Sequence, residues 1–224
     1  MQPVRMFQVK IVMGVALLAA SYCAAAGRID LWPGWCYAGF SLVTLAASYV
    51  ALARVAPDII VERVSWHAGM MRWDKPIVMW LMFGPIAACA AAGLEARRHG
   101  VEPPGMETAF GYAVGLTGSA ATLWATAVNR FDTPVVRIQK ERGHKVVENG
   151  PYRIVRHPGN LGNIILSIAT PPMLASRWAW MPAGLSVAVI VIRTALEDRM
   201  LRRELPGYAG YAERTRSRLI PGLW

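Results

Sequence analysis

The polar run Gly150-Pro151-Tyr152-Arg153-Ile154-Val155-Arg156-His157-Pro158-Gly159-Asn160-Leu161-Gly162 stands directly before a stretch apolar enough for a bilayer. Ionisable groups at a membrane boundary are costly to keep there, so Arg156 and His157 mark a functional site by default. A guanidinium and an imidazole beside a tyrosine can hold a carboxylate, carry a proton or supply ring contacts. A second polar cluster follows the last apolar stretch. There Glu197 falls in the same helical arc as Leu196, Met200 and Leu201, whereas Arg199 and Arg202 turn away. A carboxylate on an apolar arc requires a partner, from the protein or from a ligand. Tyr208 and Tyr211, just beyond, offer ring surface.

The elements that must position these groups are set by composition. Over 224 residues the chain is 54% hydrophobic and only 17% charged, too apolar for an ordinary soluble domain. The runs 7–27, 31–53, 76–94 and 109–129 each approach the ~20 residues a spanning helix needs, and 161–180 and 181–196 add a fifth and a sixth. The expected fold is all-α, a polytopic membrane helical bundle of five to six transmembrane segments with a C-terminal amphipathic helix before Pro206. It forms a single membrane domain over 1–224, with an N-terminal hairpin at 1–54, a middle hairpin at 55–129 and a catalytic, cofactor-binding half at 130–224. Pro171 and Pro172 cannot donate backbone hydrogen bonds, which predicts a kink or a helical hairpin within the fifth run. Lys10 can snorkel to the interface, and no clean small-x-small cleavage site followed by a soluble polar domain marks the first run as a signal peptide.

Of the 24 Lys and Arg residues, 20 fall in the N-terminus, the 54–75 loop, the 130–160 loop and the tail from Arg193. That asymmetry predicts a multi-pass protein whose catalytic loops and C-terminus are cytoplasmic. The net charge of +10 is then explained by contact with anionic membrane lipids, not nucleic acid. Cys23, Cys36 and Cys89 lie in apolar runs without paired spacing, and no two of His67, His99, His144 and His157 are close enough in sequence to chelate. Glu141-x-x-His144 stands alone, so no metal is expected. No Gly-x-Gly-x-x-Gly follows a strand-like run, which leaves any cofactor to loops and helix ends. Gly111-x-x-x-Gly115 with Gly118 and Ser119 forms a small-residue face suited to close helix packing.

Several elements occur in one order: His144-x-Val146-Val147, then Gly150-Pro151-Tyr152-x3-Arg156-His157-Pro158-x3-Gly162, then Glu197-x3-Leu201-x6-Tyr208-x2-Tyr211, and Arg218 to Trp224. This pattern resembles the isoprenylcysteine carboxyl methyltransferase family and its phospholipid methyltransferase relatives. Glu62-Arg63 and Trp73-Asp74-Lys75 resemble bacterial members, so the likeness covers 55–224 and implies a bacterial inner-membrane protein. It implies an S-adenosylmethionine-dependent methyltransferase that takes its cofactor from the cytosol and a lipophilic acceptor from the bilayer. Carried over by motif, the cofactor-binding residues are Gln139, His144, Val146, Gly150, Tyr152, His157, Pro158, Asn160, Leu161, Gly162, Glu197, Tyr208 and Tyr211. The catalytic ones are Arg156, Glu197 and Arg214. Asn160 departs from the usual Tyr, which leaves an aromatic contact absent or supplied by Tyr152.

The chemistry of that cofactor calls for the same residue types. Arg156 or His157 can meet its carboxylate, Glu197 its ammonium, and Tyr152, Tyr208 or Tyr211 its rings. In-line methyl transfer draws on alignment, for which ~7–11 kcal/mol is available. A carboxylate acceptor needs no base, and Arg153, Arg156 or Arg214 could orient it. An amine or hydroxyl would need Glu197 or His157 as base. Two other classes stay open: an NADPH-dependent membrane reductase of a sterol or isoprenoid lipid, with basic groups from Arg137 to Lys145, and a non-catalytic membrane scaffold. The simpler roles are an Arg153 anchor on lipid phosphate, a Glu197–Arg193 helix pair, interfacial Tyr208 and Tyr211, and salt bridges for Glu62, Arg63, Asp74 and Lys75.

Overall fold

A computed structural model describes residues 2–64 and 69–224, and His67 lies outside the described residues. Its helices are α1 (Gln2–Ala26), α2 (Trp32–Val55), α3 (Pro57–Val64), α4 (Asp74–His99), α5 (Met106–Val128), α6 (Pro158–Met173), α7 (Trp180–Glu204) and α8 (Tyr208–Arg214). Two short 3₁₀ turns, Lys140–Arg142 and Gly150–Arg153, punctuate the segment between α5 and α6. Chain punctuation follows local chemistry. Gly27 and Gly100 close α1 and α4 at φ +69° and +78°, a conformation that costs glycine little. Arg97, Arg98 and His99 occupy the last turn of α4, where cations complement the helix dipole.

Four helices, Arg5–Ala26 of α1, α2, α4 and α7, are long and apolar enough to cross a membrane. α5 has comparable length at 23 residues and carries more threonine and glycine. The bundle closes as a ring: α1 packs on α2 and α4, α4 on α7, α7 on α6, α6 on α5, and α5 on α2. The small face of α5 seats α6. A Cβ on Gly111 would meet Pro172 and the Met173 amide at 3.0 Å, and one on Gly118 would stand 2.8 Å from the Gly162 carbonyl oxygen. Tyr22, Tyr37, Cys89, Met173 and Leu174 fill the core beside this crossing.

The fifth apolar run is helical only as far as Met173. Pro171 and Pro172 have no N–H to continue the ladder, so α6 ends just after them. The Leu174 amide returns to Thr170 O at 3.0 Å, Ala175 turns at φ +47° and the Ser176 amide reaches Pro171 O at 3.1 Å. With 16 residues, α6 reaches ~24 Å, short of the ~30 Å hydrocarbon core. The sixth run, by contrast, extends well past Leu196. The amphipathic piece expected before Pro206 is the uninterrupted continuation of α7 to Glu204.

Candidate functional site

One end of the bundle gathers the start of α6, the last turns of α7, α8 and the 129–157 segment. Pro158 opens α6, where a missing N–H costs nothing. The two residues before it pair with the tail: the Arg156 amide donates to Ser217 O and the His157 amide to Arg218 O, both at 3.0 Å. The tail thus lies as a strap along the Arg156-His157 turn.

Asp198 is the hub that fixes the strap. It is fully buried, and its carboxylate accepts from Arg156 Nε at 2.7 Å and Nη2 at 3.1 Å, Arg218 Nε at 3.0 Å, Arg202 Nε at 3.2 Å and the Tyr208 hydroxyl at 3.0 Å. His157 Nε2 lies 3.4 Å away. Arg156 spends its remaining bonds on the carbonyls of Thr215 at 2.7 Å and Arg216 at 2.6 Å. Burial opposes its charge, and the bond to Asp198 overcomes this and raises its pKa above the ordinary arginine value. Its guanidinium lines the hollow described below, and four of its five N–H donors hold the turn, α7 and the tail together.

A second buried carboxylate organises the neighbouring wall. Asp74, at the head of α4, accepts from Arg193 Nε at 2.9 Å and from the Val136 amide at 2.6 Å, while Arg193 Nη2 donates to Pro134 O at 2.7 Å. Arg193 is thus committed to α4 and is not the partner of Glu197. Glu197 instead accepts from Asn160 Nδ2 at 3.3 Å and lies 3.7 Å from His157 Nδ1. Asn160 also donates to Thr194 Oγ1 at 3.1 Å. No Lys or Arg among the described residues neutralises Glu197, and its side chain stays 26% exposed.

That exposure opens into a hollow of about 80 Å³, narrower than the ~300–1,000 Å³ usual for small-molecule sites. His157, Asn160, Glu197 and Arg156 line one side, and Tyr152, Tyr208 and Tyr211 close the back. Tyr208 and Tyr211 meet edge to face at 5.4 Å, and the Tyr211 hydroxyl donates to Tyr152 O at 2.7 Å. Burial pushes all three phenols well above their ordinary pKa, so they serve as neutral ring surface and donors. His144 and Val146 form the facing wall with Phe131, on which His144 stacks at 4.6 Å. Burial, then the charges of Arg137 and Arg142, lower the His144 pKa to about 4, which keeps the ring neutral.

The other expected site residues lie elsewhere. Gln139 is wholly buried, donating to Phe131 O at 2.7 Å and accepting from Arg142 at 2.6 Å; it shapes the loop behind the wall. Gly150 supports the 3₁₀ turn at φ +56°, where a Cβ would stand 3.0 Å from Val128. Pro158 and Leu161 form the first turn of α6, with the Leu161 amide on His157 O. Gly162 sits in the α5–α6 crossing, where a Cβ would collide with Thr122 Oγ1 and lie 2.7 Å from Gly118 O. Arg214 is exposed and bound to Glu148 at 2.6 Å. None of these six lines the hollow.

Sequence reasoning passed over Phe131, Asp132 and Asp198, and named Arg137 only as a basic group for a reductase. Asp132 is held by Thr126 Oγ1 at 2.6 Å and Arg63 at 3.1 Å. Arg137 bridges Glu62 and Glu141, yet its Nε, buried at the hollow wall, has no hydrogen-bond partner among the described residues. The available signal for Asp198 was arithmetic: a tail and loop rich in arginine with few acids to satisfy them. Among the described residues no group of three or more His, Cys, Asp or Glu side chains could hold a metal ion.

Residues 116–203 match the isoprenylcysteine carboxyl methyltransferase family. Two rice proteins, from Oryza sativa subsp. indica and subsp. japonica, each described as a probable protein-S-isoprenylcysteine O-methyltransferase, are 39% identical over 54 residues. That stretch covers 24% of this chain, and the chain spans about a quarter (28%) of the length of each relative.

Proposed function

We propose that the protein is an integral membrane S-adenosylmethionine-dependent methyltransferase acting on a lipophilic acceptor, with 130–224 as its donor-binding half. The observation that carries this reading is Glu197, a carboxylate unneutralised by any Lys or Arg among the described residues, facing a tyrosine-backed hollow within the segment that matches the family. The residues fit the donor's functional groups. Glu197 offers an anion for its ammonium, and Val146, Leu201 and Tyr152 an apolar slot for its adenine.

Bound there, S-adenosylmethionine supplies an electrophilic methyl on a cationic sulfur. With a carboxylate acceptor, an oxygen–carbon bond forms as the sulfur–carbon bond breaks, leaving a methyl ester and a neutral thioether. The chain's contribution is alignment and exclusion of water. The buried tyrosines keep their protons, so they orient groups by donation and do not act as bases. Asn160 and His157 steady the Glu197 carboxylate from two sides. The concentration of 20 of 24 cations in four segments supports a hollow that faces the cytosol.

The test is equilibrium binding of S-adenosylmethionine and of NADPH to the detergent-purified protein and to Glu197→Gln. The wild type should bind the methyl donor alone. Loss of one charge-assisted contact of ~1.5–3 kcal/mol should weaken it by about 10- to 150-fold in the variant at an unchanged melting temperature. NADPH binding, or an affinity unaltered by Glu197→Gln, would overturn the reading. Mass analysis of lipid extracts for one added methyl group then identifies the acceptor.

A further inference from the structure

A groove of about 580 Å³ runs along the outer side of the wall formed by Phe131, Val146 and Val147. Its floor is apolar, and three cations stand around it: Arg130, Lys145 and Arg153. All three are exposed, and none makes a salt bridge or side-chain hydrogen bond to another described residue. The lone carboxylate at the groove, Glu148, is already neutralised by Arg214 at 2.6 Å. Three uncompensated positive charges thus surround an apolar trough.

The groove also has an exposed apolar lip. Val128, at its edge, is the last residue of α5. Trp124, one turn earlier, is 51% exposed with its indole nitrogen beside Gly150, and Ile154 is 57% exposed immediately after Arg153. An amphipathic indole next to exposed aliphatic side chains marks the depth at which a helix leaves the hydrocarbon. The backbone there is pre-set, since Gly150 packs on Val128 and pins the turn carrying Arg153.

We infer that this groove binds the anionic headgroup of a bilayer phospholipid, with the phosphate among Arg130, Lys145 and Arg153 and the acyl chains running past Trp124 and Ile154. Charge complementarity selects the occupant. A zwitterionic headgroup brings its own cation into the field of the three, whereas a net-negative one does not. The inference is independent of the methyltransferase reading, because it concerns the far side of the shared wall and its test requires no turnover.

The experiment titrates the full-length protein in neutral detergent with short-chain phosphatidylglycerol, short-chain phosphatidylcholine and inorganic phosphate, following tryptophan fluorescence. Binding of phosphatidylglycerol alone is expected. Each surface cation contributes about fivefold, so Arg130→Gln with Arg153→Gln should weaken it on the order of 25-fold, and Arg153→Gln alone about fivefold. The control Arg97→Gln with Arg177→Gln removes the same charge at the opposite end of the bundle and should change affinity less than about twofold. Equal binding of phosphatidylcholine, equally effective inorganic phosphate, or equal losses in groove and control variants would each overturn the inference.

Discussion

Replacing Asp198 by Asn tests the hub directly. The substitution keeps the side chain's size and one acceptor oxygen but removes the charge that Arg156, Arg202 and Arg218 share. Exposure sets the cost at each arginine. The Arg156 side chain is 2% exposed, and breaking a buried pair by removing one partner costs ~3–5 kcal/mol. Arg218 and Arg202 are 31% and 42% exposed, where solvent limits each contribution to ~0–1 kcal/mol. A loss of about 3–5 kcal/mol, at ~2–4 °C per kcal/mol for a chain of this size, lowers the melting temperature by roughly 6–20 °C. Thermal melting in detergent measures the loss. Limited trypsinolysis locates it, since a released strap exposes Arg214, Arg216 and Arg218 to cleavage. Arg218→Gln, which leaves the Arg156 pair intact, should shift melting by only a few degrees. An Asp198→Asn protein that melts within about 2 °C of wild type, with an unaltered tryptic pattern, would refute the hub.

Two further outcomes follow from burial and packing. Gly162→Ala should lower stability by ~1–3 kcal/mol, because its Cβ would meet the backbone of Gly118 and Thr122 at 2.7 and 2.8 Å. Gly184→Ala on α7, with nothing within 4 Å, should be near neutral, and comparable melting of the two variants would remove the close crossing from the account. For His144, a folded pKa of about 4 lies below the ~6.5 of the unfolded chain. The unfolded state therefore binds the extra proton first, and stability falls as pH drops from ~6.5 toward 4. With the ring partly open to solvent, the loss discounts to about 1–2 kcal/mol. Melting temperatures across that range should decline less steeply in His144→Gln than in the wild type, and equal slopes would count against a neutral, wall-forming His144.

Hydropathy made the helical bundle legible, because a spanning helix must satisfy its own backbone and so announces itself over a single continuous run. The end of α6 was foreshadowed by Pro171-Pro172, although the sequence could not decide between a kink and a stop. The polar residues that meet at the hollow were legible as a set, since His144, Tyr152, His157, Glu197 and Tyr208 are spaced in one half of the chain. Which donors are already spent was not legible. Arg156 and Asp198 are 42 positions apart, and Arg193 and Asp74 119 apart, so only the packed bundle reveals that both arginines are committed. The same blindness favoured Glu197 over its neighbour Asp198. Adjacent helical residues point ~100° apart, and here one faces the hollow while the other faces the buried arginine cluster.

The strap has a consequence for biogenesis. Residues 215–218 emerge from the ribosome after α1 to α8, so those helices can insert and pack before the backbone bonds from Arg156 and His157 to Ser217 and Arg218 exist. The turn at Arg156 and His157 is thus secured later than the helices it joins. A nascent chain stopped short of Thr215 would have its helices paired and this turn untethered.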